Sequence, residues 1–355
     1  MAWTRHCARS ALATLCGAAA LGGCASKPPE VHVESTPPFL LATVEDAGVR
    51  DLRARYRAAT CARLPPTGPA CDDVLLRLPG EGPGAAPNAG ADLPRRYRIA
   101  FVPGLFSECF DRVARPFGDA QRALRQEGFA VDYFQVPGRG TSAGNVRRLA
   151  DHFAALDGDA RPIILFAYSK GLSDALEFVV RYPAAAARIA AIVSVAGAAN
   201  GSPLADHLNA AYRDWVAGFP LPGCDPGSGD EIHDLRRDVR LAWWRANRAA
   251  IRIPVFALVA APRPERVSPG ARATYDRLAQ IDPRNDGKLL AQDQVVPGGY
   301  LLGYANADHW AVAIPLDEAL PGLSFLFRDG VPRPALVRAA IEVVAETLAG
   351  KAGRE

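Results

Sequence analysis

An almost continuous apolar run, Ile163 to Ala167, ends abruptly at Tyr168-Ser169-Lys170-Gly171. Behind that turn Leu172, Ala175, Leu176, Val179 and Val180 recur at helical spacing. The run is short and unbroken by polar residues, so it predicts a strand buried on both faces. The stripe predicts an amphipathic helix packed on it. Backbones crowd at so tight a strand-to-helix turn, and only small residues fit on either side of it. Ala167 and Gly171 meet that need. The same turn pushes the Ser169 hydroxyl out beside a helix N-terminus, where free N–H groups can hold an oxyanion.

The alternation continues along the chain. Arg98 to Val102, Ala130 to Val136, Ile189 to Val195, Pro254 to Val259 and Tyr300 to Tyr304 are further apolar runs. Helical stripes lie on Val113, Phe117, Ala120 and Leu124, and on the stretch Asn145 to Leu156. A closing stripe falls on Leu336, Val337, Ala340, Ile341, Val344 and Leu348, with Pro334 suited to a first helical turn. This pattern predicts an α/β fold with a mostly parallel central sheet flanked by helices. Residues 202–250 break the alternation and hold Trp215, Phe219, Leu221, Trp243 and Trp244. An insertion there would cover the carboxyl ends of the strands as a cap. Residues 45–64 predict a helix, and 80–95, dominated by Gly, Pro and Ala, a loop.

The start of the chain predicts export. Arg5 and Arg9 precede an apolar run, Ala11 to Leu21, too short to span a bilayer. It ends in Leu21-Gly22-Gly23-Cys24, which resembles the lipobox of bacterial lipoproteins. That resemblance implies a signal peptide over 1–23, lipidation of Cys24, and a membrane held through the lipid. Ala25 and Ser26, with no Asp after the cysteine, imply the outer membrane, facing the periplasm. Residues 24–44, with Pro28, Pro29, Pro37 and Pro38, read as an extended tether. Residues 45–96 follow as an N-terminal extension and 97–350 as the main domain.

Of seven cysteines, Cys7 and Cys16 leave with the leader and Cys24 takes lipid. Cys61, Cys71, Cys109 and Cys224 remain, and an oxidising compartment suits their pairing. Three pairings are possible. Cys61–Cys71, which closes a short Pro-rich loop, together with Cys109–Cys224 is favoured. No Cys or His spacing suits zinc, and neither metal nor cofactor is expected. Without Arg5 and Arg9 the chain is close to neutral, and no basic run supports nucleic-acid binding. Oligomeric state leaves no mark on the sequence.

A serine hydroxyl is a weak nucleophile at neutral pH and needs a base within hydrogen-bond reach. The base in turn needs a buried carboxylate to set its tautomer. Of six histidines, His6 lies in the leader, His32 in the tether, His207 at the start of the cap, and His152 and His233 in polar stretches. His309, in Ala307-Asp308-His309-Trp310 just after the last strand, is the best placed.

Together these segments resemble the α/β-hydrolase superfamily, most closely its lipase and esterase branch, from about residue 97 to 350. Phe101-Val102-Pro103-Gly104-Leu105-Phe106 resembles the family's oxyanion loop, with Pro103 where a histidine is usual. The Ser169 pentapeptide resembles its nucleophile elbow, with Ala167 for the first glycine. Ala196 to Asp206 resembles the lipase segment that leads into the lid, with Asn200 in place of a histidine. The resemblance implies Ser169 as nucleophile, His309 as base, and the backbone N–H groups of Leu105 and Lys170 as oxyanion donors.

Family chain order puts the acid between Val259 and His309. Asn285-Asp286-Gly287 resembles the lipase Asn-Asp-Gly motif, and Asp293-Gln294-Val295-Val296-Pro297 resembles an acid loop as well. Asp286 is preferred and Asp293 stays open. Asp282 precedes a proline and reads as a turn residue, and Asp308 is turned poorly for its neighbour His309. The Lys170 side chain reads as a solvated first-turn residue, with steering of an anionic substrate as the alternative. The implied activity is hydrolysis of carboxylic esters through an acyl-enzyme, an aromatic cap favouring an apolar acyl or alkyl group. An acyltransferase or thioesterase on the same fold, and a non-catalytic envelope lipoprotein, stay open.

Overall fold

A sheet covered on both sides requires successive strand residues to enter two different apolar layers. The computed structural model, which describes residues 48–352 apart from 112–113, 157 and 207–224, shows that division. The strands are β1 (Arg50–Asp51), β2 (Leu75–Leu76), β3 (Arg98–Val102), β4 (Val131–Tyr133), β5 (Ile163–Tyr168), β6 (Ile189–Val195), β7 (Val255–Ala260) and β8 (Tyr300–Ala305). The helices that matter for the site are α1 (Arg53–Cys61), α2 (Gly118–Gln126), α3 (Ser142–Ala154), α4 (Lys170–Arg181), α5 (Arg237–Asn247) and α6 (Arg333–Ala352). Ile99, Phe101, Ile164, Phe166, Val193 and Phe256 pack with α1, α2 and α6. Ala100, Val102, Leu165, Ala167, Ile192 and Ala257 pack with α3 and α4. Phe166 stacks on Phe101 in the first layer, ring centroids 5.1 Å apart. Truncating a buried phenylalanine of this kind costs about 3–5 kcal/mol.

The strand order is β1-β8-β7-β6-β5-β3-β4, with β2 joined to β8. Every neighbouring pair along that path is parallel, and β2 alone runs antiparallel to its partner. This is the α/β-hydrolase arrangement the sequence led us to expect. β5 sits between β3 and β6, buried along its whole length. The crossovers bring the ends of β3, β4, β5, β6, β7 and β8 out at one edge of the sheet, where ligands collect in folds of this type.

The segment before residue 97 enters the sheet. β1 pairs with β8 at Tyr300 and Leu301, and β2 pairs with it at Tyr304 and Ala305. Two short strands thus cover one flank of β8, which would otherwise offer unpaired backbone groups to another chain. Cys61 and Cys71 are bonded as favoured, tying the end of α1 to the turn that leads into β2. A short-loop disulfide contributes about 2–4 kcal/mol. Cys109 is also disulfide-bonded.

Two element boundaries differ from expectation for local reasons. The helix expected over 45–64 is confined to Arg53–Cys61, because Arg50 and Asp51 pair with β8 and the Asp51 carboxylate accepts the Arg53 N–H at 2.9 Å. The helix expected from Asn145 begins at Ser142, because Thr141 caps it by accepting the Gly144 N–H at 3.0 Å. No helix among the described residues is long and apolar enough to cross a membrane. Cys24, the tether, Val113, His207, Cys224, and Trp215, Phe219 and Leu221 of the expected cap lie outside the described residues.

Candidate active site

Ser169 stands between β5 and α4 with φ 54° and ψ −125°, a backbone conformation that non-glycine residues rarely adopt. Close approach explains the small residues around it. A Cβ on Gly171 would lie 2.4 Å from the Pro103 carbonyl oxygen, and one on Gly104 would lie 2.7 Å from Ser169 Cβ. The turn after β3 is therefore pressed against the serine. Strain of this kind costs about 1–3 kcal/mol and persists where the surroundings over-determine it. Here the Ser169 N–H donates to Val195 O at 3.2 Å, and the Ala198 N–H returns to Ser169 O at 3.0 Å.

His309 follows β8. Its Nε2 lies 2.9 Å from Ser169 Oγ, and its Nδ1 lies 2.7 Å from Asp286 Oδ2. An ionised carboxylate can only accept, so Nδ1 carries the proton and Nε2 turns its lone pair to the serine hydroxyl. The His309 N–H also donates to Asp286 O at 2.9 Å, which holds the two residues together through their backbones. Tyr168 supports the ring from below. Its hydroxyl donates to His309 O at 2.7 Å, and the two rings lie 5.3 Å apart. Burial, with Asp286 and Asp308 nearby, holds the Tyr168 phenol well above its ordinary range, so it stays a donor.

Asp286 is fully buried and well supplied with donors. Oδ1 accepts the N–H groups of Lys288 at 2.8 Å and Leu289 at 2.7 Å. Oδ2 accepts Gln294 Nε2 at 3.3 Å as well as the imidazole. Gly287, at φ 88°, supplies the left-handed step that folds the loop back onto the carboxylate. Asp293, the open alternative, is brought elsewhere. It pairs with Arg237 of α5 at 3.3 Å, and its Oδ2 finds no partner among the described residues. Burial pushes its carboxyl up to about 7, against the opposing pull of Arg237. Asp308 accepts from the N–H groups of Ser268, Trp310 and Ala311 and so shapes the turn that carries His309.

Lys170 opens α4, where the first N–H groups have no partner within the helix. The Leu105 N–H donates to no backbone carbonyl among the described residues. Both N–H groups therefore belong to segments that border Ser169. The Lys170 side chain is neither solvated nor directed to a ligand, contrary to both readings of it. It is buried, and Nζ donates to Asp174 Oδ1 at 2.7 Å. Trp243 and Trp244 also depart from expectation. Trp244 is buried and donates to Ala199 O at 2.8 Å, while Trp243 donates to Glu177. Trp243 thus ties α5 to α4 and Trp244 ties it to the segment after β6, so both indole N–H groups are committed within the fold.

Sequence reasoning missed Gln294, which reaches Asp286 from a turn named only for its neighbour Asp293. It also missed Tyr168, although the period-two alternation of β5 places that residue on the His309 side. Among the described residues no group of His, Cys, Asp and Glu has the arrangement to hold a metal ion.

The chain is 34% identical to a metagenomic carboxyl esterase of known structure, over 88% of this chain and 99% of that one, with a TM-score of 0.78. The propeptide form of a Bacillus licheniformis lipase shares the fold at 16% identity, over 70% of this chain and 51% of that one, with a TM-score of 0.54. No protein-family model matches the sequence, and none of the curated proteins does.

Proposed function

The chain belongs to the esterase and lipase branch of the α/β-hydrolase superfamily, and on that premise we propose that it hydrolyses carboxylic esters with Ser169 as nucleophile. The observation that carries this reading is the unbroken series Ser169 Oγ, His309 Nε2, His309 Nδ1 and Asp286 Oδ2, with contacts of 2.9 and 2.7 Å. His309 takes the Ser169 proton as the hydroxyl attacks the acyl carbonyl, and Asp286 stabilises the resulting imidazolium. The N–H groups of Leu105 and Lys170 receive the oxyanion, and His309 returns the proton to the leaving alcohol. A water molecule, deprotonated by the same histidine, then releases the acid from the acyl-enzyme.

A fluorophosphonate probe tests this without knowledge of the natural substrate. The wild-type chain is expected to label and thereby to lose its esterase activity, and Ser169→Ala to stay unlabelled and to be inactive without the probe. Full activity in Ser169→Ala would remove the serine from the chemistry. We also propose that Cys24 is lipidated and holds the enzyme at the outer membrane, facing the periplasm. The lipobox-like Leu21-Gly22-Gly23-Cys24 supports this. Cys24→Ser should move the protein from the membrane fraction to the soluble periplasmic fraction, and continued membrane partition would count against the anchor.

A further inference from the structure

The turn after β4, Pro137-Gly138-Arg139-Gly140, has no part in the chemistry above, yet it touches both segments that carry the oxyanion donors. On one side stands Glu108, three residues beyond Leu105. Its Oε2 accepts the Gly138 N–H at 2.5 Å and its Oε1 the Arg139 N–H at 3.3 Å. In return the Phe106 N–H donates to Gly138 O at 3.4 Å. Phe106 sits at φ 61°, and the Arg139 guanidinium lies over its ring, 5.1 Å from the centroid. A Cβ on Gly138 would lie 2.1 Å from Glu108 Oε2 and 2.6 Å from Phe106 N, so the two turns interlock.

On the other side stands Asn145. Its Nδ2 donates to Pro137 O at 3.1 Å and to Asp174 Oδ2 at 2.7 Å. Asp174 holds Lys170 Nζ, one helical turn back along α4. Asn145, Asp174 and Lys170 are all buried. A continuous path of hydrogen bonds therefore runs from the Leu105 turn through Glu108, the 137–140 turn, Asn145 and Asp174 to Lys170.

We infer that Glu108 and Asn145 are positioning residues that hold the two oxyanion donors at a set spacing across the 137–140 turn. This rests on the proposed roles of the Leu105 and Lys170 N–H groups. An oxyanion site works because its donors are in place before charge develops. The left-handed Phe106 is held by the 137–140 turn itself, through its N–H to Gly138 O and its ring under Arg139. Loss of the strut would let the Leu105 N–H drift from the place the oxyanion takes, and a displacement near 1 Å can cost about 10²-fold in rate.

The test uses the full chain, a short-chain p-nitrophenyl ester and a trifluoromethyl ketone, whose serine adduct bears the oxyanion. Glu108→Ala should lower kcat by about 10²-fold with KM changed by less than about twofold. Ketone affinity should fall in parallel with kcat/KM, and the pH profile should keep its shape because the histidine is untouched. Glu108→Gln, which keeps one accepting oxygen, should recover part of the loss. Asn145→Ala should show the same pattern more weakly. Unchanged kcat and ketone affinity in Glu108→Ala, or a rise in KM alone, would overturn the inference. If Glu108→Ala does not fold, Glu108→Gln carries the same test: unchanged kcat and ketone affinity there count equally against it. Ser169→Ala separates the two levels: an inactive serine variant beside fully active Glu108 variants leaves the serine reading intact and removes only the strut.

Discussion

Asp286 and Asp293 lie seven residues apart on one loop, both buried, yet their surroundings are opposite. Asp286 meets two backbone N–H groups, one amide and one imidazole, which take the place of the water that burial removes. Asp293 meets one arginine at 3.3 Å, keeps one oxygen without a partner among the described residues, and is pushed up to about 7 by burial. Burial alone therefore does not mark the residue that orients the histidine. The supply of donors does, because an unpaired buried charge costs far more than a hydrogen-bonded one.

The largest expected effect separates the two directly. Asp286→Asn should lower kcat by about 10⁴-fold, since an amide no longer dictates the imidazole tautomer. Asp293→Asn should leave kcat within about threefold. Side-by-side turnover of a short-chain ester checks both, and a reversed ranking would exchange their roles.

Gln294 sharpens the contrast at the next level. Its amide accepts the Ala260 N–H at 2.7 Å, donates to Ala260 O at 2.9 Å, and reaches Asp286 Oδ2. Gln294→Ala should cost about 1–3 kcal/mol of stability by leaving buried partners unsatisfied. Urea unfolding measures this, and a loss below that range would mean water replaces the amide.

The smallest effect is a pH slope. The Asp293 carboxyl titrates near 7 in the folded chain against 3.8 as a reference value. The folded state then binds more protons than the unfolded state between those limits, so stability falls as pH rises through the window. The slope is at most about 1.4 kcal/mol per pH unit for a single group. Urea midpoints from pH 5 to pH 8 should decline in the wild type and flatten in Asp293→Asn. An unaltered slope would place the titrating group elsewhere.

Much of the site was legible because its determinants are local. The elbow needs only a buried strand, small residues on either side and a helix start, and residues 163–180 state all three. His309 could be singled out by elimination and by its place after the last strand. The carboxylate was legible only as a preference for Asp286 with Asp293 open, because both sit in turns that resemble the family's acid loop. The Lys170 side chain was misread for a related reason. A first-turn lysine is usually solvated, and its burial depends on Asp174 and on Asn145 from a neighbouring helix. Trp243 and Trp244 fall in a stretch whose sequence predicts an aromatic cap, but their indole N–H groups are bound to Glu177 and Ala199 O, partners set by the tertiary fold.

From its sequence alone this protein was committed to a parallel, doubly covered sheet, a serine on a strained turn at that sheet's carboxyl edge, and a histidine after the final strand. The sheet and the serine turn follow from apolar periodicity and steric crowding over a few consecutive residues, and the histidine from elimination among six and from what the family resemblance implies. Tertiary structure decided which aspartate meets the histidine, how β8 is covered by β1 and β2, and how the turn after β4 joins the segments of Leu105 and Lys170. These depend on contacts between residues far apart in the chain, and hydrogen-bond direction and burial at such contacts are set only when the sheet brings its strand ends together.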